Sequence, residues 1–334
     1  MENLRFKEDY KPLLNVKETE IAIKDIRNKF QSLLEKDLSL IRVTAPLFVK
    51  SNTGLNDDLN GIEEPVKFNI DDKSINLEIV HSLAKWKRAN ISRYGLKNHE
   101  GIYAVMNAIR KDEVRDNYHS IYVDQWDFEC LITKEERNMD TLKKFVARLY
   151  HSIKQLEIYV EDTYKIKGTL PNQIAFITSE DLLKKYPTLD PNERVNKIVK
   201  EYKAVFVSQI GYRLSNDVRQ DFRAPDYDDW LLNGDLFVYN EILDDALELS
   251  SLGIRVDKIS LINQAREDHK EYILNYPYQQ DVINERLPFT LGGGIGQSRL
   301  CMFMLKKLHI GEVQSSYWDL DTRNFLKEKG IELL

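Results

Sequence analysis

The chain has 334 residues, of which 48 are Lys or Arg and 54 are Asp or Glu, giving a formal net charge of −6. No basic arm or basic domain stands out, which argues against a large nucleic-acid footprint, because such a footprint needs clustered cations. With 42% apolar and 31% charged residues, the composition is that of a globular chain able to bury a large core. The two cysteines, Cys130 and Cys301, lie far apart in apolar runs. They make neither a metal quartet nor a disulfide framework and read as buried free thiols in a reducing compartment. The N-terminus is charged and has no signal-peptide core, and no apolar run reaches spanning length. A cytoplasmic protein with no membrane or nucleic-acid partner is expected.

In chain order, residues 19–36 carry a helical pattern, with Ile23, Ile26, Phe30, Leu33 and Leu34 on one side. Residues 40–49 read as a strand broken by Pro46, the mark of an edge or a bulge. Residues 66–70 and 76–80 read as paired strands around a turn at 71–74. A helix opens at Ser82, with Lys85, Lys87 and Arg88 in its first turns. Residues 101–109 form a mostly apolar strand ending at Arg110, and residues 119–124 form another that continues into Gln125-Trp-Asp127. A long helix is expected over 140–167, then strands at 174–178 and 204–209 flanking helical stretches. Residues 211–230 are polar and turn-rich, 235–239 is a strand after an Asn233-Gly234 turn, and 241–255 holds further short strands. Residues 257–287 are helical and mostly solvated. No internal repeat or low-complexity tract appears. The pattern fits one α+β domain over residues 1–334, built on a mainly antiparallel sheet flanked by helices. The helical middle, about 139–203, is expected as an insertion or cover layer.

The stretch that carries most meaning is Leu291-Gly-Gly-Gly-Ile-Gly-Gln-Ser-Arg-Leu300. A short strand precedes it and an apolar helix follows, so the glycines read as a strand-to-helix turn that lets a flat or charged ligand approach the backbone. A dinucleotide fingerprint does not fit its glycine frame, and the Gly-Lys-Ser/Thr of a P-loop is absent. Gly-x-Gly-x-Gly-x-x-Arg near the chain end does resemble the third motif of class II aminoacyl-tRNA synthetases, whose arginine lies on ATP.

Other candidates reduce to ordinary structure when taken singly. Arg110 with Lys111, Asp112 and Glu113 is a charged strand end, or an arginine aimed at a phosphate. Ser82 is an N-cap, or a hydroxyl that joins Lys87 in holding a carboxylate at a helix start. Gln125 and Asp127 sit where they would receive an ammonium group. Glu248 lies on the polar side of a strand, or faces Mg²⁺ through oxygen. Asp226-Tyr-Asp-Asp-Trp230 is an acidic loop that leads into Leu232-Asn-Gly-Asp235.

Together, His81-Ser-Leu-Ala-Lys-Trp-Lys-Arg88, Val123-Asp-Gln-Trp-Asp127, Arg223-Ala-Pro-Asp-Tyr-Asp-Asp-Trp230, Leu232-Asn-Gly-Asp235, Glu248-Leu-Ser-Ser-Leu-Gly-Ile-Arg255 and the glycine run resemble the aspartate–ammonia ligase family. The likeness covers nearly the whole chain, with a stretch between Trp230 and Leu232 that is short for the family. The resemblance implies a class II synthetase-like catalytic fold, a homodimer, and ATP and Mg²⁺ as co-substrate and cofactor. L-aspartate, ATP and ammonia would give L-asparagine, AMP and pyrophosphate through β-aspartyl-AMP. In that scheme Arg110 meets the α-phosphate and Arg299 the nucleotide. Glu248, Ser250, Ser251, Arg255, Gly292, Gly293 and Gly294 line the nucleotide, while Asp235 and Glu248 hold Mg²⁺. Asp58, Ser82, Lys87, Gln125 and Asp127 take aspartate, and Asp58 or Asp228 serves the ammonia. Two other readings stand beside it: a catalytically silent binder of amino acid or nucleotide, and a tRNA-aminoacylating enzyme. The intact arginines and glycine run argue against the first, and the net charge and missing anticodon module against the second.

Overall fold

The computed structural model describes residues 4–57, 59, 63–71 and 74–334. Helix α1 (Val16–Leu38) begins at a capping box. The Asn15 side chain accepts from the Glu18 amide, and the Glu18 carboxylate accepts from the Asn15 amide, both at 3.0 Å. Its buried residues Ala22, Ile23, Ile26, Phe30, Leu34 and Leu38 form one stripe, as the periodicity predicts. Pro46 divides the next segment into two strands that part company. β1 (Leu40–Arg42) joins the edge of a large sheet, and β2 (Phe48–Lys50) joins a small one with β3 (Lys67–Ile70) and β4 (Ile75–Ile79). The β3–β4 hairpin matches the expected pair.

Helix α2 (Ala84–Asn90) starts two residues later than expected, with Leu83 rather than Ser82 at its N-cap. Strands β5 (Gly101–Ile109) and β6 (Tyr122–Leu131) come next, then α3 (Met139–Tyr164), β7 (Ala175–Thr178), α4 (Ser179–Lys185), α5 (Pro191–Tyr202) and β8 (Ala204–Ser208). β9 (Asp228–Asn240) and β10 (Asp245–Arg255) form a long hairpin. Asn233-Gly234 and the stretch after Trp230 are therefore strand, not turn or loop. Helices α6 (Lys258–Glu267) and α7 (Pro277–Ile283) lead to β11 (Thr290–Gly296), α8 (Gln297–Met304) and α9 (Leu320–Glu328).

Among the described residues the large sheet has the order β1-β5-β6-β11-β10-β9-β8-β7. It is mixed. The pairings from β5 through β8 are antiparallel, but β1–β5 and β7–β8 are parallel. The expected antiparallel sheet is thus its centre only, because each edge strand is joined to its neighbour by a long crossover, β1 to β5 through the small sheet and α2, and β7 to β8 through α4 and α5.

One face of this sheet packs against α1, α3 and α8 in a single apolar cluster that includes Trp126, Phe128, Leu252, Ile254, Leu291 and Ile295. The other face is covered only towards its ends. Val80 and Leu83 pack on Ala104, Met106 and Ala108 at the β5 side. Leu182, Val195, Ile198 and Val199 of α4 and α5 pack on Val205 and Val207 at the β8 side. Between these covers, β6, β11, β10 and β9 present polar side chains. No helix among the described residues is long and apolar enough to cross a membrane.

Phe30 is fully buried, with its ring 4.9 Å from that of Trp126, so it joins α1 to the sheet. Phe30→Ala should destabilise the fold by about 3–5 kcal/mol. Urea unfolding measures this, and a loss below ~1 kcal/mol would contradict the packing described.

Candidate active site

The glycine run is not a turn. β11 continues through Gly296, and α8 begins at the next residue. Register places Gly292 between Glu129 of β6 and Gly253 of β10, and Gly294 between Asp127 and Ser251. A Cβ on Gly292 would lie 2.0 Å from Glu129 Oε2 and 2.3 Å from Arg255 Nη2. A Cβ on Gly294 would lie 2.5 Å from Gln125 Oε1 and 2.6 Å from Asp127 Oδ1. The missing side chains let residues of β6 and β10 meet over a bare central strand.

Arg255 uses this gap. Its Nε and Nη2 donate to Glu129 at 2.9 and 2.6 Å, and its Nη1 donates to Asp228 at 2.5 Å. All three side chains are buried. Burial pushes the Glu129 carboxyl up, but Arg255 and Lys87 together outweigh it and the net shift is down. Burial pushes Asp228 up to about 6, against the opposing pull of Arg255. Lys87, also buried, donates to the carbonyls of Phe128 and Gly293 at 2.9 and 3.1 Å and lies 3.7 Å from Asp127. Burial lowers its ammonium pKa, with Asp127 and Glu129 opposing.

A cavity of about 320 Å³ opens above these groups. At one end are Ser82, Lys87, Gln125, Asp127, Asp228 and Arg255, together with Ser251, Gly293 and Gly294 on the sheet. Asp127 also accepts from the Leu83 amide at 3.0 Å, which fixes the start of α2 over the cavity. At the other end are Arg110, Glu113, His119, Glu248 and Arg299. Arg299 Nη1 donates to the Glu248 carbonyl at 3.2 Å and lies 3.4 Å from its carboxylate. Arg110 Nη2 donates to the His81 carbonyl at 3.3 Å, and its buried Nε has no partner among the described residues. Burial raises the Glu248 carboxyl, but Arg299, Arg223, His119 and Arg110 outweigh it and bring it down.

The remaining expected residues fall elsewhere. Ser250 faces the helix-covered side and donates to the Gly294 carbonyl at 2.9 Å. Gly292 lies beneath the Glu129–Arg255 pair and does not line the cavity. Asp235 lines a neighbouring cavity of about 370 Å³, which shares Glu248 and Arg299 with the first. Asp58 lies outside the described residues; Asp57 beside it is buried and lines the main cavity.

Three cavity residues were missed as candidates. Arg223 is mostly buried and pairs with Asp221 at 2.7 Å and with Asp235. Its signal is the Arg-Ala-Pro-Asp string that it opens, in which the acids are the more conspicuous residues. His119 holds Asp116 through Nδ1 at 2.9 Å, and Tyr227 lies half-buried next to Asp228. No spacing marked either one.

The expected metal ligands sit among cations. Among the described residues no cluster of three or more His, Cys, Asp or Glu could hold a metal. Asp235 and Glu248 remain as two carboxylates. Burial raises Asp235 to about 7 even beside Arg223, and its Oδ1 is buried with no hydrogen-bond partner among the described residues. That orphaned acceptor fits a cation, and Mg²⁺ commonly takes one or two carboxylates and completes its shell with phosphates and water.

A family model described as aspartate–ammonia ligase matches residues 17–330. An aspartate–ammonia ligase of Clostridium perfringens strain SM101 is 52% identical over 338 residues, covering 100% of both chains. One from Lactiplantibacillus plantarum is 52% identical over 314 residues, covering 93% of this chain and 97% of its own. Among solved structures, an Entamoeba histolytica asparaginyl-tRNA synthetase in complex with asparaginyl-adenylate superposes with a TM-score of 0.63 at 13% identity. The match covers 90% of this chain and 66% of that one. The Pyrococcus horikoshii asparaginyl-tRNA synthetase, also complexed with asparaginyl-adenylate, gives a TM-score of 0.60 at 16% identity, covering 89% and 68%. At such identity the likeness concerns the fold, that of class II synthetases.

The raised pKa of Asp228 has a thermodynamic consequence. The folded state holds this proton more tightly than the unfolded chain, whose carboxyl titrates near ~3.9. The group's contribution to stability therefore falls as pH rises from about 4 to about 6 and is level above that. Asp228→Asn should flatten this segment of the stability–pH profile. Parallel profiles for the variant and the parent protein would contradict the assignment.

Proposed function

This chain belongs to the aspartate–ammonia ligase family, and we propose from that premise that its cavity adenylates the β-carboxylate of L-aspartate and passes it to ammonia. The β-carboxylate oxygen attacks the α-phosphorus of ATP, and pyrophosphate leaves. Neutral ammonia then attacks the carbonyl carbon of β-aspartyl-AMP, AMP leaves with the bridging oxygen, and L-asparagine results. The observation that carries this reading is one cavity with two chemically different ends. Lys87, Gln125 and Asp127 suit a zwitterionic amino acid, while Arg110 and Arg299 suit a phosphate.

Each residue has its own share of the work. Lys87 is held by two backbone carbonyls and Asp127, so its charge is fixed in place before aspartate arrives. Asp127 and Gln125 are the acceptors for the α-ammonium, with Ser82 close by. Among the described residues Arg110 is only loosely committed: its side chain is half-buried and makes one long bond to a carbonyl. That leaves its donors available for the charge that grows on the α-phosphate. Arg299, backed by Glu248, lies along the nucleotide. Ser251, Gly293 and Gly294 form the floor beside Asp127, where the nucleotide meets the aspartate. Arg255 acts from beneath, through Glu129 and Asp228, and Ser250 and Gly292 support the strand. Asp235 and Glu248 would hold Mg²⁺, which when bound neutralises phosphate charge.

Ammonia at neutral pH is mostly ammonium, so a proton must be removed before attack. Asp228, whose pKa is raised to about 6, is a better proton acceptor than an ordinary aspartate. Asp58 is the other candidate. We further propose an isologous homodimer formed through α1 and the β1 segment, and a cytoplasmic location.

Two outcomes test this. Arg110→Ala should keep the fold and lower aspartate-dependent pyrophosphate release by roughly 10²–10³, the usual cost of one preorganised donor. Near-parental release would remove Arg110 from the mechanism. The nitrogen source supplies the second. Glutamine use needs an activated thiolate. Both cysteines are fully buried, and burial pushes the Cys130 thiol up and that of Cys301 up to about 12. A Cys130→Ser, Cys301→Ser double variant should therefore keep its ammonium-dependent activity. Asparagine formation from glutamine alone, in ammonia-free buffer, would contradict ammonia as the donor.

A further inference from the structure

Helix α8 carries Arg299 in its first turn but has no capping side chain of its own, since its N-cap is Gly296. The cap comes from another element. Asp124 of β6 accepts from the Ser298 amide at 3.1 Å and from the Ser298 hydroxyl at 2.7 Å, both on Oδ1. Gln314 Nε2 reaches the same oxygen at 3.3 Å and the Ser298 hydroxyl at 3.1 Å. The other carboxylate oxygen receives Arg27 Nη2 of α1 at 2.7 Å. Asp124, Ser298 and Gln314 are all buried. One residue along each element, Gln297 Nε2 donates to the Gln125 carbonyl at 3.0 Å.

The first turn of α8 is thus bolted to β6 at two successive residues, 124 and 125. A carboxylate at a helix N-terminus satisfies an orphan amide and matches the helix dipole. Its consequence here is positional. Arg299 directly follows Ser298, so the place of its guanidinium over Glu248 depends on where that turn is held. Asp124 is itself held by Arg27 of α1, which packs on the same face of the sheet as α8.

We propose that Asp124 is a positioning residue for the nucleotide: it clamps the first turn of α8 and thereby sets Arg299. The proposal rests on the reading of Arg299 as a nucleotide contact. It predicts an effect confined to one substrate, because the aspartate end of the cavity is held by other groups, namely the Leu83 amide on Asp127 and the carbonyls on Lys87.

The test is steady-state kinetics with each substrate varied in turn, on Asp124→Ala, Asp124→Asn and Arg299→Ala, with melting curves alongside. Asp124→Ala should raise KM for ATP roughly tenfold, below the ~10²-fold that a full 1 Å misplacement can cost. Its KM for aspartate should stay within about twofold. Asp124→Asn keeps an acceptor for the Ser298 amide, and asparagine caps helices as well as aspartate does, so it should recover most of the loss. A lower melting temperature with both KM values unchanged would overturn the proposal, as would an equal rise in both. An asparagine variant no better than alanine would overturn the capping argument. If Asp124→Ala does not fold, Ser298→Ala removes one bond of the same clamp and should raise KM for ATP alone, by about threefold. An unchanged KM for ATP in Arg299→Ala would instead sink the reading of Arg299 itself.

Discussion

The structure turns on an ion pair that crosses a strand. Glu129 and Arg255 stand on β6 and β10 with β11 between them, and they meet because Gly292 offers nothing to hold them apart. Buried charges of this kind must be paired and hydrogen-bonded, or they cost several kcal/mol each. Arg255 meets that demand from both sides, taking Glu129 on one edge and Asp228 on the other. The result ties β6, β10 and β9 together across a polar sheet face. It also explains a glycine run in the middle of a sheet, where glycine otherwise weakens a strand.

The rest of the site grows from that polar strip. Apolar cover at the β5 and β8 ends of the sheet leaves its centre open, and the open centre is the cavity. One end of the strip is rigid and bears buried charges in fixed hydrogen bonds, as a site that recognises a small zwitterion requires. At the other end Arg110 and Arg299 are only partly satisfied among the described residues, which leaves donors for a ligand that brings its own negative charge.

Much of this was legible in the residues, and the failures have a common cause. Helix α1 and strand β5 follow directly from periodicity, and the Arg110 strand end and the glycine run with Arg299 come together at one cavity. The mixed character of the sheet was not legible, because strand direction depends on crossovers and not on any one strand's pattern. Ser250 was misplaced by a bulge. Simple alternation puts it on the same face as Glu248, but the register shifts between Glu248 and Ser250, so of the two expected serines only Ser251 takes the site face. Asp235 stands on the expected face, yet Arg223 and Glu248 partition it into the neighbouring cavity. The glycine run reads as a turn in the sequence, and is strand in the fold, because the sequence does not say which side chains pass over it. Arg223 escaped notice because a surface arginine and a buried one look the same in a sequence.

The central claim is that this site activates a carboxylate by adenylation and not by phosphorylation. Aspartate labelled with ¹⁸O in its β-carboxylate, incubated with the protein, ATP, Mg²⁺ and an ammonium salt, tests it directly. The account predicts asparagine together with AMP that carries one labelled oxygen, the bridging atom of the cleaved acyl-adenylate. Label in inorganic phosphate or pyrophosphate, with unlabelled AMP, would contradict it.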